Sequence, residues 1–180
     1  RKRDDVWNDI AHVPLEALRN PNLIRCFLRR ADMVAEEGFT DGERTQVRQI
    51  AADLAQVDGT QLNPGATDAE ISEFERSNGV VLPVSFRSWL EISDGGRLFF
   101  PEGIELYGVV HPPLLELDDP YTPEDGWLVV GMMPDTDLVL VSLTGEATVV
   151  YNREGGTFDD AVRYGDFLAF LEDALRQWSD

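Results

Sequence analysis

The stretch from Gly65 to Gly96, GATDAEISEFERSNGVVLPVSFRSWLEISDGG, predicts two short helices joined by a stiff corner. Thr67 and Glu70 have the T-x-x-E spacing of a capping box, in which each side chain bonds a backbone N–H of the other's turn. Asn78-Gly79 supplies the left-handed residue that ends a helix. Pro83 keeps the residue before it extended and suits the first position of the next helix.

The second helix of this stretch has an apolar stripe, formed by Phe86, Trp89 and Leu90 at helical spacing. After it, Asp94-Gly95-Gly96 turns the chain into a predicted strand, RLFF. The stretch contains no catalytic pattern. It therefore predicts how the chain folds and does not indicate a chemical reaction.

The order T-x-x-E-I-x-x-F-E, then N-G-V-x-L-P-x-x-F-R-x-W-L, then S-D-G-G resembles the SUKH superfamily, which includes fungal cell-wall-assembly regulators and many bacterial immunity proteins. The residues that carry the resemblance are Glu70, Ile71, Phe74, Glu75, Gly79, Leu82, Pro83, Phe86, Leu90, Gly95 and Gly96. The family usually has Asn where this chain has Asp94, and often a Tyr near Phe86. As an order of elements the resemblance extends from Ala66 to Trp178.

The domain organisation follows from this span: residues 63–180 are predicted to form a SUKH-like domain and residues 1–62 an N-terminal helical extension. Behind Asn20-Pro21, apolar residues at helical spacing predict one helix of the extension. A second T-x-x-E box, Thr40 to Glu43, predicts another helix, with inward positions at Val47, Ile50, Ala51 and Leu54. Amphipathic helices need a surface to cover. We expect the extension to dock on the main domain; the alternative is a partner-binding arm.

The region after Gly96 is rich in strands and ends in a helix. β-branched and aromatic residues between turn signals mark five strands, RLFF, IELYGVV, WLVVGMM, DLVLVSL and EATVVYN. The fourth is apolar on both faces, which indicates a central strand. An apolar stripe from Phe167 to Trp178, preceded by Asp166, predicts the C-terminal helix. The fold class is α+β: a central, mostly antiparallel or mixed sheet packed by helices.

The negative charge is concentrated in the predicted main domain. The formal net charge is −19; residues 1–65 contain 9 Lys+Arg and 11 Asp+Glu, whereas residues 66–180 contain 6 and 23. Such an excess repels nucleic acids and membrane surfaces and attracts basic proteins. The same acidity would also serve solubility alone. Combined with the family resemblance, it favours a basic protein partner, a toxin domain, over nucleic acid or membrane.

The most acidic loop, HPPLLELDDPYTPEDGW from His111 to Trp127, is the candidate partner-binding segment. Its four prolines exclude regular structure. The candidate binding residues are Glu116, Asp118, Asp119, Tyr121, Glu124, Asp125 and Trp127. Aromatic side chains contribute much of the energy at interface centres, while charges set orientation and association rate. The alternative is a solvated insertion whose Trp127 simply begins the next strand.

No catalytic, cofactor-binding or metal-binding residue is predicted. The sequence has no nucleophile elbow, P-loop, dinucleotide fingerprint or zinc pattern, and its acids lack the order of a calcium loop. His12, His111 and the single Cys26 stand apart from one another. Paired carboxylates for glycoside hydrolysis remain an alternative with little specificity in so acidic a chain.

The sequence therefore predicts a non-catalytic binding protein without cofactors. The single cysteine, the lack of a long apolar run and the lack of a signal-peptide pattern favour a cytoplasmic location. The resemblance implies an immunity protein that neutralises a basic toxin domain, such as a nuclease, by occlusion. The alternative is a regulatory or scaffold module of the cell-wall-regulator type, which binds partners through the helical N-terminal region.

Overall fold

A computed structural model describes residues 41–117, 126–154 and 157–178. In chain order the elements are α1 (Asp41–Leu54), β1 (Gln61–Leu62), α2 (Asp68–Asn78), α3 (Val84–Ile92), β2 (Gly96–Leu98), β3 (Ile104–Leu106), β4 (Trp127–Met132), β5 (Leu138–Ser142), β6 (Thr148–Tyr151), a 3₁₀ turn (Phe158–Asp160), β7 (Val162–Tyr164) and α4 (Phe167–Trp178). The helix predicted behind Asn20-Pro21, Cys26 and the box residue Thr40 lie outside the described residues.

The strands form one seven-stranded sheet in which β1 to β7 lie in chain order and every neighbouring pair is antiparallel. With the helices described above, this confirms the predicted α+β fold. All five residues of β5 are buried, as expected for a central strand. The edge strands β1 and β7 were not predicted, because two or three residues are too few to show an alternating pattern.

The predicted helix–corner–helix unit is present and is closed by a buried acid. Thr67 and Glu70 form the expected capping box, and Gly79 has φ 65° at the end of α2. At the corner, the backbone N–H of Leu82 donates to Oε1 of Glu75 at 2.9 Å. Glu75 is only 3% exposed, so its carboxylate satisfies an amide that the Pro83 corner would otherwise leave unpaired.

The start of α3 is capped from another part of the chain. The helix begins at Val84, with Pro83 in the cap position and no hydrogen bond from its own side chain. Instead, Glu146 in the β5–β6 turn accepts from the backbone N–H groups of Val84 and Ser85 at 2.9 and 3.1 Å. The Ser85 hydroxyl also donates to Glu146 and accepts from the N–H of Phe167, at 2.9 and 3.2 Å. One turn thus holds the first residues of α3 and α4.

The main core lies between one face of the sheet and helices α1, α3 and α4. Phe86, Trp89 and Phe167 are fully buried at its centre, and the rings of Phe86 and Phe167 meet edge to face at 4.9 Å. The four inward positions predicted for α1 are buried in the same core: Val47, Ile50, Ala51 and Leu54. Helix α1 therefore shares a hydrophobic core with α3 and α4. The division of the chain at residue 62 stays a prediction.

The opposite face of the sheet carries a smaller apolar cluster. Along β5, Val139 and Val141 belong to the main core, whereas Leu138 and Leu140 belong to this second cluster. The 3₁₀ turn folds over it, and the ring of Phe158 lies 5.0 Å from that of Trp127. The sheet is therefore covered by helices on one face and by aromatic side chains on the other.

Tyr164 provides a pH test of the contact between β7 and α4. Its hydroxyl donates to Oδ2 of Asp173 at 3.1 Å, and burial together with this carboxylate raises the pKa of Tyr164 to about 12. An unfolded tyrosine loses its proton near pH 10. Because the folded state holds the proton longer, this contribution to the free energy of unfolding is complete below pH 10 and is lost as pH rises to about 12.

We expect Tyr164→Phe to lower the free energy of unfolding by about 1 kcal/mol below pH 10, which is typical of one lost hydrogen bond. The difference between wild type and variant should shrink between about pH 10 and pH 12. Urea denaturation across this range measures it. A difference that stays constant up to pH 12 would contradict the role given to the Tyr164 hydroxyl.

Candidate partner-binding surface

The carboxylate of Asp94 fixes the start of the acidic loop from beneath. Asp94 is fully buried just after α3. Its carboxylate oxygens accept from three consecutive backbone N–H groups, those of Val109, Val110 and His111, at 2.6, 2.8 and 2.7 Å. His111 Nδ1 also lies 3.0 Å from Oδ2. Charge-assisted hydrogen bonds of this kind are stronger than neutral ones, so the backbone of residues 109–111 is held in one conformation.

Residues 108–115 also form hydrogen bonds with one another. The N–H of Gly108 donates to the carbonyl of Pro113, and the N–H of Leu115 donates to the carbonyl of Gly108, both at 2.9 Å. A Cβ on Gly108 would lie 2.5 Å from the carbonyl oxygen of Asp94 and 2.8 Å from its Cγ, so only glycine permits this approach. We call residues 108–115 the Asp94-anchored loop.

This loop displays two aliphatic side chains. Val110 is 42% exposed and Leu114 is 48% exposed. The exposed Glu116 follows directly after the loop. The surface is therefore apolar at Val110 and Leu114, with the acidic Glu116 just after them in the chain.

The structure describes two of the seven predicted binding residues, Glu116 and Trp127. Glu116 is exposed beside the Asp94-anchored loop. Asp118, Asp119, Tyr121, Glu124 and Asp125 lie outside the described residues. Trp127 begins β4, is half-buried and packs edge to face against Phe158. A partner-binding role for these seven residues stays a prediction.

Sequence reasoning missed Asp94 as a site residue and treated it only as part of a turn. The available signal was its charge, since the family usually has the neutral Asn at this position. The three amides that it binds are 15 to 17 residues further along the chain. Backbone amides carry no sequence signature, so this partnership could not be predicted from the residue types.

Most cations of residues 66–180 are engaged within the molecule. Arg87, for example, pairs with Asp68, with Glu91 at 2.7 Å and with Glu75 at 3.7 Å. The others are Arg76 with Glu73, Arg97 with Glu105, Arg176 with Asp173, and Arg163 above the ring of Phe158. Because these five arginines already have acidic or aromatic partners, the surplus carboxylates determine the sign of the surface field.

A second group of acids lies at the other end of the sheet, where β4 ends. Burial is the main cause that raises the pKa of Asp137; repulsion from Asp135 and Glu154 raises it further, and a backbone hydrogen bond from Arg153 opposes the rise. These carboxylates therefore repel one another. The exposed acidity of the described residues is not confined to the predicted loop, and this second group offers a matched control for charge experiments.

Other kinds of site have little support in the part of the chain that the structure describes. No group of three or more His, Cys, Asp or Glu residues within it is arranged to hold a metal ion. A cleft between α1 and α3, lined by Val47 and Ser88 among others, has a volume of ≈130 Å³. Small-molecule sites are typically about 300–1,000 Å³, so this cleft is too small for most of them.

Within the described ranges, no helix combines the length and apolarity that a membrane crossing requires.

The SMI1 / KNR4 family (SUKH-1) matches this chain over residues 65–173. The match starts at the first residue of the helix–corner–helix stretch and ends within α4, so it covers more than half of the chain. The protein therefore belongs to the SMI1 / KNR4 family, which confirms the SUKH resemblance. Proteins of this family are generally non-catalytic modules for protein interaction or immunity. Among curated proteins, none matches the chain.

We expect Asp94→Ala to lower the free energy of unfolding by about 2–3 kcal/mol, because it leaves three amides without their acceptor and a cavity beneath the loop. Glu102→Ala is the control. Glu102 is exposed, and an exposed substitution usually changes stability by no more than about 0.5 kcal/mol. Urea denaturation measures both variants. Equal stability of the two would show that Asp94 does not hold the loop.

Proposed function

We propose that this protein is an immunity protein that neutralises a basic toxin domain, such as a nuclease, by covering its cationic cleft. The observation that carries the proposal is the charge of residues 66–180, which contain 23 acids and only six arginines. Five of those arginines are engaged within the molecule. The family supports an immunity-type or regulator-like domain.

The mechanism is occlusion, and no covalent bond is made or broken. A nuclease holds the phosphates of its substrate with Lys and Arg side chains, whose binding is largely electrostatic. Carboxylates presented on a folded surface occupy the same cations and exclude the nucleic acid. The long-range field of the acidic domain also speeds the encounter with a basic partner.

The acidic segment from Glu116 to Trp127 is the proposed contact. Its first part continues from the Asp94-anchored loop, whose backbone is already held by hydrogen bonds before any partner arrives. A surface that is ordered beforehand loses less conformational entropy on binding, and this favours affinity. The candidate residues are Glu116, Asp118, Asp119, Tyr121, Glu124, Asp125 and Trp127.

Salt dependence of association tests the electrostatic mechanism. The genes beside that of this protein are sequenced first: the proposal expects one of them to encode a toxin, and the catalytically inactivated domain of that toxin is the probe. Raising the ionic strength from about 0.01 M to about 1 M shortens the Debye length from about 30 Å to about 3 Å. We expect the association rate constant, measured by stopped flow, to fall at least about tenfold. An association rate that is indifferent to salt would rule the mechanism out.

Two pairs of substitutions that remove the same charge test the location of the contact. Asp118→Asn with Asp119→Asn neutralises the proposed segment, and Asp135→Asn with Asp137→Asn neutralises the opposite end of the sheet. We expect the first pair to raise the Kd at least about tenfold, since loss of a contact at an interface centre costs more than about 1 kcal/mol. The second pair should change the association rate only slightly. Equal effects of the two pairs would place the contact elsewhere.

The alternative, a regulatory scaffold that binds through its N-terminal helices, is less favoured by the packing of α1. Its apolar face is already buried against α3 and α4, so it is not available to a partner. A truncation that tests this alternative should therefore end at residue 40, before α1. Loss of partner capture by a protein that lacks residues 1–40 would favour the scaffold.

A further inference from the structure

We infer that Val110 and Leu114 on the Asp94-anchored loop form an apolar anchor for the basic protein partner. The partner surface that fits them is an apolar patch bordered by Lys or Arg side chains. This inference rests on the proposed function and specifies where recognition has its apolar centre.

The backbone N–H groups of residues 109–111 point inward to Asp94, and the side chains of Val110 and Leu114 point outward to solvent. The N–H of Val110 donates to Asp94, and so do the N–H groups of the residues on either side of it. Leu114 lies between Pro113 and Leu115, and both of these residues are bonded to Gly108. The hydrogen bonds that hold the backbone therefore also set the direction of both aliphatic side chains.

The fold does not need either side chain for its core. Leu115, next to Leu114, is 7% exposed and lies in the main core. Val109, next to Val110, packs against that core as a partly buried residue. Each exposed aliphatic residue thus has a neighbour that already provides the packing. Only four large hydrophobic residues are exposed among the described residues, and two of them are in this short loop.

The anchor is suited to binding at a low entropic cost. Ordering a flexible side chain at an interface costs about 0.5–1.5 kcal/mol, and valine, which is branched at Cβ, has little rotamer freedom to lose. The backbone beneath it is already held by Asp94. Apolar groups at the centre of a contact with polar groups around them match the usual anatomy of protein interfaces.

The charges near the loop identify the kind of partner. Glu116 follows the loop directly and is exposed. Residues 66–180 as a whole contain 23 acids and six arginines. A second copy of this chain, with its net charge of −19, would bring acids against acids. A basic partner instead places its cations opposite the carboxylates. Charge complementarity therefore favours a basic protein over self-association.

The test compares Val110→Ser with Leu114→Ser, made together, against Val162→Ser. Val162 is 56% exposed on β7, away from the loop, and so is a matched control. The probe is again the inactivated domain of the toxin that the proposed function expects. Loss of a residue at an interface centre costs more than about 1 kcal/mol, so the double variant should raise the Kd roughly 10- to 100-fold. The higher Kd should come from faster dissociation, because the charges that set the association rate are intact.

The outcomes separate this inference from the proposed function. A wild-type association rate that falls with salt, together with an unchanged Kd in the double variant, would overturn the apolar anchor and leave electrostatic neutralisation standing. An equal loss in Val162→Ser would also overturn it. Sedimentation tests whether a second copy of this chain binds the surface instead. A wild type that is a dimer and a double variant that is a monomer would assign this surface to self-association and overturn the inference.

Asp94→Asn tests the role of the held backbone while both aliphatic side chains remain. The amide offers one acceptor oxygen where the carboxylate offers two, and its NH₂ group faces backbone donors. We expect faster hydrogen exchange at the amides of residues 109–111 and roughly tenfold weaker binding. Faster exchange with an unchanged Kd would overturn the preordering of the anchor.

Discussion

The contact of the Asp94 carboxylate with three consecutive amides is the interaction on which the candidate surface depends. It joins the end of α3 to the chain that leaves β3. The helix–corner–helix stretch, which carries the family resemblance, therefore positions the irregular loop. Two glycines follow Asp94 and a third faces it. Without the carboxylate, three backbone donors would need water or another acceptor, and residues 109–111 would lose the contacts that hold them in one conformation.

The same device recurs elsewhere in the domain. Glu75 accepts the amide of Leu82 at the corner between α2 and α3, Glu146 accepts two amides at the start of α3, and Asp166 accepts the amide of Ala169 at the start of α4. Part of the acidity that the composition shows is therefore used to terminate helices and close turns. Direct contact with a partner therefore depends on acids without such structural roles.

Local features of the fold could be predicted from the sequence, and distant ones could not. The capping box at Thr67, the glycine stop at Gly79 and the buried strand β5 depend on neighbouring residues, and they were predicted. The cap from Glu146 reaches α3 across about 60 residues, and the amides bound by Asp94 have no side-chain signal. At the candidate surface, composition pointed to acids and aromatic residues. The exposure of Val110 and Leu114 was not predicted, because the sequence does not distinguish an exposed aliphatic residue from its buried neighbour.

Asp94 binds only main-chain atoms of residues 109 and 110, and this has a consequence for how the protein diversifies. Every residue except proline has the same backbone N–H, so side chains along the loop can be replaced without disturbing the support beneath them. Single substitutions along the loop can therefore alter its exposed surface while the backbone beneath it persists. The arrangement separates Asp94, whose carboxylate the hydrogen bonds require, from loop residues whose side chains are open to replacement.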